Sequence, residues 1–179
     1  MATSNGIQIL VDTAKRTVIK RIGVFDASGG DEALTVIIDP RSLSGALNAN
    51  NLPYQAGNTV APGFANSAFT ISRVIASVDA EVGHLQLQWQ GTVTTNTIYA
   101  LGVGSIDTNP QYQLPAITNN AIGPTGNVLV KTVGTTANAA YTLIIELHKD
   151  NRFYDAGWGR DPAAFNYGDY SITPPGGHG

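Results

Sequence analysis

Histidine is the side chain best suited to acid–base or metal chemistry near neutral pH, and the chain has three: His84, His148 and His178. Two lie on the polar faces of predicted strands and the third lies in the C-terminal tail, without the clustered spacing of metal ligands. Cysteine is absent, which excludes disulfides and thiolate chemistry. A serine or threonine nucleophile needs a histidine base held by an acid, and these positions provide no candidate triad.

Neighbouring carboxylates could act as a general acid and base, as in glycosidases. The acidic residues that are close together in the sequence occupy predicted turns: Asp31, Glu32, Asp79 and Glu81. Acidic residues are common in turns for conformational reasons, so these pairs do not indicate catalysis. Asp150, Asp155 and Asp161 lack the tight spacing of a calcium loop. We therefore predict no catalytic residues, no metal and no cofactor, and a protein that is not an enzyme.

The composition favours a globular protein with an unusually neutral surface. The 179 residues suit one domain, or one domain with an extension. Apolar residues make up 42%, but charged residues only 13%, about half the usual share. Neutral amides and hydroxyls are much cheaper to desolvate than charges, so this surface suits packing against neighbours. The net charge of -3 argues against a general nucleic-acid binder.

The ends and apolar runs of the chain give no targeting signal. Residues 1–6 have neither the basic region nor the apolar region of a signal peptide. No apolar run approaches the roughly 20 residues needed to span a bilayer. We therefore expect a protein made in a cytoplasm, with no membrane partner.

The clearest periodic signal lies between Phe69 and Val103. Residues 84–90 alternate strictly, with leucine and tryptophan on one face and polar side chains on the other, as in a half-buried strand. Strand patterns at 69–78 and 97–103 flank this run, and the three predict an antiparallel meander. The apolar phase changes within 69–78, which predicts a bulge or a strand that passes between two sheets.

The other strand patterns are shorter and are separated by turn residues. They lie at 7–11, 15–25, 33–39, 127–134 and 140–149. With the meander they give about eight strands, and no segment has a sustained helical stripe. We predict an all-β fold, an antiparallel β-sandwich or jelly roll with long irregular loops at 48–66 and 107–126. A barrel stays possible on pattern alone.

Basic residues fall on both faces of the strand predicted at 15–25. Such a two-faced charged strand predicts a sheet edge, where charge discourages unwanted pairing. The alternative is a patch that binds an acidic neighbour. The turn residues at 26–32 then predict a hairpin turn into the next strand.

The last thirty residues differ from the rest. We divide the chain into a β-sandwich core at 1–149 and an aromatic-rich extension, the C-terminal arm, at 150–179. Six of the fourteen aromatic residues lie between 153 and 170, with no strand or helix period. Rings of this kind are preferred anchors of protein interfaces. The arm either folds back over its own sandwich or reaches a neighbouring subunit.

This combination resembles the structural proteins of tailed-bacteriophage virions, namely head decoration (cement), neck or tail-associated subunits. The resemblance rests on the cysteine-free, weakly charged, Thr/Asn/Gly-rich β pattern, the proline-containing loops and the aromatic arm. It implies a non-enzymatic homo-oligomer, assembled in the host cytoplasm into the virion and bound to the major capsid protein or to neck or tail proteins. It implies no specific nucleic acid. The residues expected to anchor the arm are Phe153, Tyr154, Trp158, Phe165, Tyr167 and Tyr170, with Arg152 and Arg160 as hydrogen-bonding partners.

A second hypothesis is a carbohydrate-binding module, whose sandwich would stack exposed aromatic rings on sugar faces. Trp89, Trp158 and Tyr54 are the candidates. Trp89, however, shares the apolar face of its strand, which predicts a place in the core. A pilus or surface-layer subunit is a third hypothesis, and it is hard to reconcile with the expected lack of a signal peptide.

Overall fold

The structure is a computed structural model that describes residues 2–13, 15–47, 69–108, 119–150 and 154. Within these ranges the only helical elements are two 3-10 turns, Pro40–Ser42 and Ala80–Val82. The strands are β1 (Ala2–Asp12), β2 (Arg16–Phe25), β3 (Thr35–Ile38), β4 (Phe69–Val78), β5 (His84–Gly91), β6 (Thr95–Leu101), β7 (Gly104–Asp107), β8 (Pro124–Val133) and β9 (Ala140–Lys149). None of the helical segments described is long and apolar enough to cross a membrane.

The strands form two antiparallel sheets around one core, so the predicted all-β sandwich is confirmed. One sheet has five strands in the order β1-β2-β9-β4-β7, and the other has four in the order β3-β8-β5-β6. Only two residues, Gly102 and Val103, connect β6 to β7. The edges formed by β6 and β7 therefore lie on the same side of the sandwich, and β1 and β3 form the edges of the opposite side.

The core lies between the sheets and contains the faces that the alternation predicted. From β9 it receives alternate residues from Tyr141 to Leu147, and from β5 it receives Leu85, Leu87 and Trp89, all buried. The Trp89 ring packs against Phe69 at 5.7 Å between centroids, which joins the two sheets. Burial of each large apolar side chain contributes about 1.5–3 kcal/mol, so this face-to-face packing holds the sheets together.

The phase change in β4 is a β-bulge, the first of the two predicted alternatives. The pairing of β4 with β9 shifts register between Ile71 and Arg73. Phe69 and Ile71 are buried before the shift, and Val74 and the alternate residues after it are buried as well. The extra residue lets both apolar phases face the same core.

The predicted meander is wrong in its pairing. β4 pairs with β9 and β7 in the five-stranded sheet, whereas β5 pairs with β8 and β6 in the four-stranded sheet. Of the strands in the predicted meander, only β5 and β6 form a hairpin. The turn at Ala80–Val82 carries the chain from one sheet to the other, and Gly83 follows with φ of 73°. A Cβ atom there would lie 2.4 Å from the carbonyl oxygen of Val133, so the crossing requires glycine.

The prediction that residues 15–25 form an edge strand is also wrong. β2 lies between β1 and β9, and β1 is the edge. Arg16 on the outer face forms an ion pair of 2.7 Å with Glu146, while Arg21 on the inner face is buried. Nor do residues 26–32 close a hairpin, because β3 belongs to the other sheet. The loop predicted at 48–66, and residues 109–118 of the second loop, lie outside the described residues.

Candidate functional site at the base of the C-terminal arm

Tyr154 is the one predicted interface residue that the structure describes. It forms an antiparallel bridge with Ala46, and its side chain is 2% exposed. Its hydroxyl group donates a hydrogen bond of 3.0 Å to the carbonyl oxygen of Pro40. The ring thus lies in the core of its own chain. The other predicted residues lie outside the described residues: Arg152, Phe153, Trp158, Arg160, Phe165, Tyr167 and Tyr170.

The Tyr154 ring covers a buried ammonium group. The Nζ atom of Lys149, at the end of β9, lies 4.8 Å from the ring centroid, and the Lys149 side chain is 0% exposed. This ammonium donates to the Asp12 carboxylate and to the carbonyl oxygens of Thr13 and Ser44, the latter two at 2.8 Å. All three of its N–H groups are therefore satisfied, as a buried charge requires. A cation–π contact of this desolvated kind contributes on the order of 2 kcal/mol.

The Asp12 carboxylate completes this arrangement, which we call the arm junction (Asp12, Ser44, Lys149 and Tyr154). Its Oδ1 atom also accepts a bond of 2.8 Å from the hydroxyl of Thr17, and its Oδ2 atom accepts one of 2.7 Å from the backbone N–H of Ser44. The junction therefore ties together the end of β1, the end of β9, the segment after β3 and Tyr154. Tyr154 is therefore held at a fixed point beside the end of β1.

Burial controls the protonation of both junction groups. Desolvation lowers the pKa of the Lys149 ammonium, although the hydrogen bond to Asp12 opposes this shift. Burial raises the pKa of the Tyr154 phenol well above its ordinary value of 10.0, and the carboxylates of Asp12 and Asp39 raise it further. The phenol consequently stays neutral and keeps its hydrogen bond to Pro40.

A second buried cluster, which we call the buried triad, contains Arg21, Glu32 and Tyr141. The Nη2 atom of Arg21 donates to Oε1 of Glu32, and Nε of Arg21 donates to the Tyr141 hydroxyl at 3.0 Å. That hydroxyl in turn donates to Oε2 of Glu32 at 2.5 Å. The side chains of the ion pair are 4% and 3% exposed. The three groups thus form a closed ring of hydrogen bonds inside the protein.

The buried triad links the two sheets. Arg21 comes from β2 and Tyr141 from β9, both in the five-stranded sheet. Glu32 lies in the β2–β3 connection, and its backbone N–H donates a bond of 2.7 Å to the Thr132 hydroxyl on β8, in the four-stranded sheet. The Tyr141 ring packs over Gly23, where a Cβ atom would lie 2.2 Å from it. Glycine at position 23 therefore lets the phenol reach its two partners.

The charges of the triad stabilise one another. Burial alone would lower the pKa of the Arg21 guanidinium, but its contacts with Tyr141 and Glu32 outweigh this effect and raise that pKa. Burial, reinforced by the hydrogen bond to Glu32, raises the pKa of the Tyr141 phenol well above 10.0. Both groups keep the protonation state that the ring of hydrogen bonds requires.

No family model, curated protein or solved structure matches this chain. Its function must therefore be inferred from its own residues. The arm junction and the buried triad both use their polar atoms within the chain. Their chemistry fixes segments in place: the junction fixes the base of the arm, and the triad fixes the two sheets.

The other histidine and acidic side chains that the structure describes do not come together in one site. The Nε2 atom of His84 lies 2.9 Å from the Gln86 amide nitrogen, and the His148 side chain is 63% exposed on the outer face of β9. His178 lies outside the described residues. Within the described ranges no three histidine or acidic side chains are close enough to hold a metal ion. Asp31 and Asp79 accept bonds from the backbone N–H groups of Thr135 and Ala140, as turn residues do.

The buried charges were not predicted, although the sequence contains a signal for them. Lys149 continues the buried face of β9 that runs through Ile145 and Leu147. Arg21 lies at the same alternation as Ile19 and Phe25, which are buried. A charged residue on the apolar face of a strand predicts a buried pair, because an isolated buried charge is too costly. The partners cannot be identified in this way, since they come from distant segments.

The two buried tyrosines predict an alkaline loss of stability. The folded-state pKa values of Tyr141 and Tyr154 are raised, so the folded protein holds protons that the unfolded chain releases above pH 10. Their stabilising contribution is complete below pH 10 and decreases at higher pH, by about 1.4 kcal/mol per pH unit for each phenol. The lowered pKa of Lys149 has the opposite sign, but only below its ordinary value of 10.5.

Urea unfolding measured at several pH values from about 8 to about 11.5, with tyrosinate absorbance as the second probe, tests this prediction. We expect tyrosinate absorbance to rise with unfolding, and the Tyr154→Phe variant to lose about half of the slope above pH 10.5. A folded protein in which all tyrosines titrate near pH 10 would contradict it.

Proposed function

We propose that the chain is a non-enzymatic structural subunit of a tailed-phage virion. In this proposal it is assembled in the host cytoplasm and binds the capsid, or the neck or tail, through its loops and C-terminal arm. Its roles are capsid decoration and stabilisation, or head–tail connection. The observation that carries the proposal is the arm junction, where the base of an aromatic-rich arm is fixed to the sandwich by a buried lysine and Tyr154.

The physical argument concerns entropy and valency. An arm that starts from a fixed point searches a smaller volume than a free tail, so its rings reach a neighbouring subunit at a higher effective concentration. Besides Tyr154, the arm contains five aromatic residues: Phe153, Trp158, Phe165, Tyr167 and Tyr170. Rings of this type contribute most of the binding energy in many interfaces. Many weak contacts of one subunit, repeated around a shell or ring, give firm attachment.

The outer face of the five-stranded sheet supports a contact with neighbours. Ile144 lies on the otherwise polar face of β9, and its position predicts a partner layer there. It lines a groove with Ile75 of β4, and Asp107 of β7, which lies opposite Ile75, is at the same groove. A groove with apolar lining and a charged residue beside it has the usual make-up of an interface.

Particle binding tests the proposal. Mass spectrometry of virions from the phage or prophage that encodes the chain should detect it, and the purified full chain should rebind to particles that lack it. The matched control is a chain that ends at Tyr154, which keeps the arm junction and removes the rest of the arm. We expect it to stay folded and to lose particle binding. Absence of the full chain from purified virions would refute the assignment.

The carbohydrate-binding hypothesis is weakened, because the one candidate sugar-stacking ring that the structure describes, Trp89, is buried. Trp89 is 2% exposed and packs against Phe69, so its ring cannot stack on a sugar. Tyr54 and Trp158 lie outside the described residues. A glycan-array screen of the full chain distinguishes the two hypotheses, because the virion proposal expects no glycan-specific signal.

A further inference from the structure

Strand β1 is a long sheet edge that lacks charged residues and proline over residues 2–11, although its pairing with β2 shifts register between Ala2 and Ser4 and between Ile9 and Val11. It is an eleven-residue strand, and among the described residues it pairs only with β2. Along its outer edge, backbone N–H and C=O groups point away from the sheet at alternate residues. Proteins usually protect such an edge with charge or proline. Residues 2–11 contain neither.

Two isoleucines on β1 extend the inner face of the five-stranded sheet beyond the area that the four-stranded sheet covers. Ile7 lies opposite Arg21, and Ile9 lies opposite Ile19, and both of those β2 residues are buried. Directly opposite residues share a face, so Ile7 and Ile9 point toward the core side. They are nevertheless 46% and 49% exposed. The four-stranded sheet is one strand narrower, and none of its described residues covers them.

We propose that β1 is the contact between two copies of this chain. The strands would pair antiparallel around a two-fold axis near Gln8, so that Ile7 of one protomer lies opposite Ile9 of the partner subunit. The two five-stranded sheets would then join into one continuous sheet. An interface of this type is isologous, since the same patch serves both subunits. This proposal goes beyond the virion assignment and holds whether or not that assignment is correct.

Charge favours a second copy as the occupant. A strand with charged residues would repel its own copy, whereas the neutral edge from 2 to 11 pairs with itself without penalty. A charged peptide would find no counter-charge along this edge and would lose its hydration. The paired isoleucines would also cover each other's exposed side chains. Leu34 and Val36 of the β3 region lie on the same side of the sandwich and are exposed, which extends the apolar surface available to the partner.

Disulfide trapping tests the register directly. The natural chain has no cysteine, so Gln8→Cys gives one thiol per protomer. Directly opposed Cα atoms of an antiparallel pair are about 4.5–5.5 Å apart, which a disulfide spans. We expect Gln8→Cys to form a covalent dimer on mild oxidation. The control is Val93→Cys in the β5–β6 turn, where the residue is 73% exposed and distant from the edge. Equal cross-linking of the two variants would overturn the proposal.

A charge variant tests the energetics. Ile9→Lys should weaken dimerisation more than about 100-fold in light scattering or sedimentation, because the added charge would be buried against the partner. Its unfolding midpoint at low concentration should not change, since Ile9 is exposed in the single chain. Val93→Lys should dimerise like the natural chain. A natural chain that stays monomeric, with or without the arm, would overturn the proposal. A chain that dimerises only after truncation at Tyr154 would overturn it too and would identify the chain's own arm as the cover of β1.

Discussion

Replacement of Glu32 by alanine should lower the free energy of unfolding by about 3–5 kcal/mol, because it leaves the Arg21 charge buried without its partner. Both oxygens of the Glu32 carboxylate accept hydrogen bonds in the triad, one from Arg21 and one from Tyr141. The variant therefore also removes the acceptor of a buried phenol. Urea or thermal unfolding at neutral pH measures this effect.

Two controls separate charge from shape. The triple variant Arg21→Met, Glu32→Leu and Tyr141→Phe removes both charges together with the hydroxyl that bonds to them and keeps most of the volume, so it should recover most of the lost stability. Asp107→Ala breaks an exposed ion pair, in which the side chains of Arg73 and Asp107 are 32% and 42% exposed. It should lower the free energy of unfolding by less than about 1 kcal/mol. If Glu32→Ala cost no more than Asp107→Ala, the buried triad would not be the link between the sheets.

Replacement of Tyr154 by alanine should lower the free energy of unfolding by about 3–5 kcal/mol, because it opens a cavity and exposes the Lys149 ammonium at the arm junction. The hydroxyl bond to Pro40 accounts for a small part of this effect. Tyr154→Phe keeps the ring over Lys149 and should cost only about 1 kcal/mol. The difference between the two variants measures the contribution of the ring.

Proteolysis and truncation give an independent measure of the junction. In Tyr154→Ala, trypsin should cleave after Lys149 at early times, which mass spectrometry would detect, whereas Tyr154→Phe should resist this cleavage. A chain that ends at Lys149 should be as unstable as Tyr154→Ala, while a chain that ends at Tyr154 should be as stable as the full chain. Equal stability of the two truncated chains would show that Tyr154 does not contribute to the core. An arm deletion that tests assembly should therefore end at Tyr154.

The alternation of residues predicted which side chains are buried better than it predicted which strands pair. It identified the buried faces of β5 and β9 and the bulge in β4. It placed β4 beside β5, although the two strands lie in different sheets. The reason is geometric: both sheets of a sandwich turn their apolar faces to the same core, so strands of either sheet have the same pattern.

Charged residues led to the second wrong prediction, which strand lies at the edge of the sheet. Basic residues on β2 suggested an edge strand, but the Arg21 charge is paired with Glu32, and Arg21 also donates a hydrogen bond to Tyr141, inside the protein. The edge is β1, which the sequence shows only as a short apolar run. Whether a strand lies at an edge depends on which distant strand pairs with it. β2 pairs with β9, which is more than a hundred residues away: Arg21 and Tyr141, joined by a hydrogen bond, are 120 residues apart in the sequence.

The sequence by itself determined the all-β class, the buried faces of the strands and a terminal segment of different composition, because these depend on local alternation and residue type. Only the tertiary structure decided the assignment of strands to the two sheets and the exposure of Ile7 and Ile9. It also decided the partners of Arg21 and Lys149 and the burial of Tyr154 against Lys149. These features depend on contacts between segments far apart in the chain, whose formation is governed by packing of the whole core rather than by any local pattern.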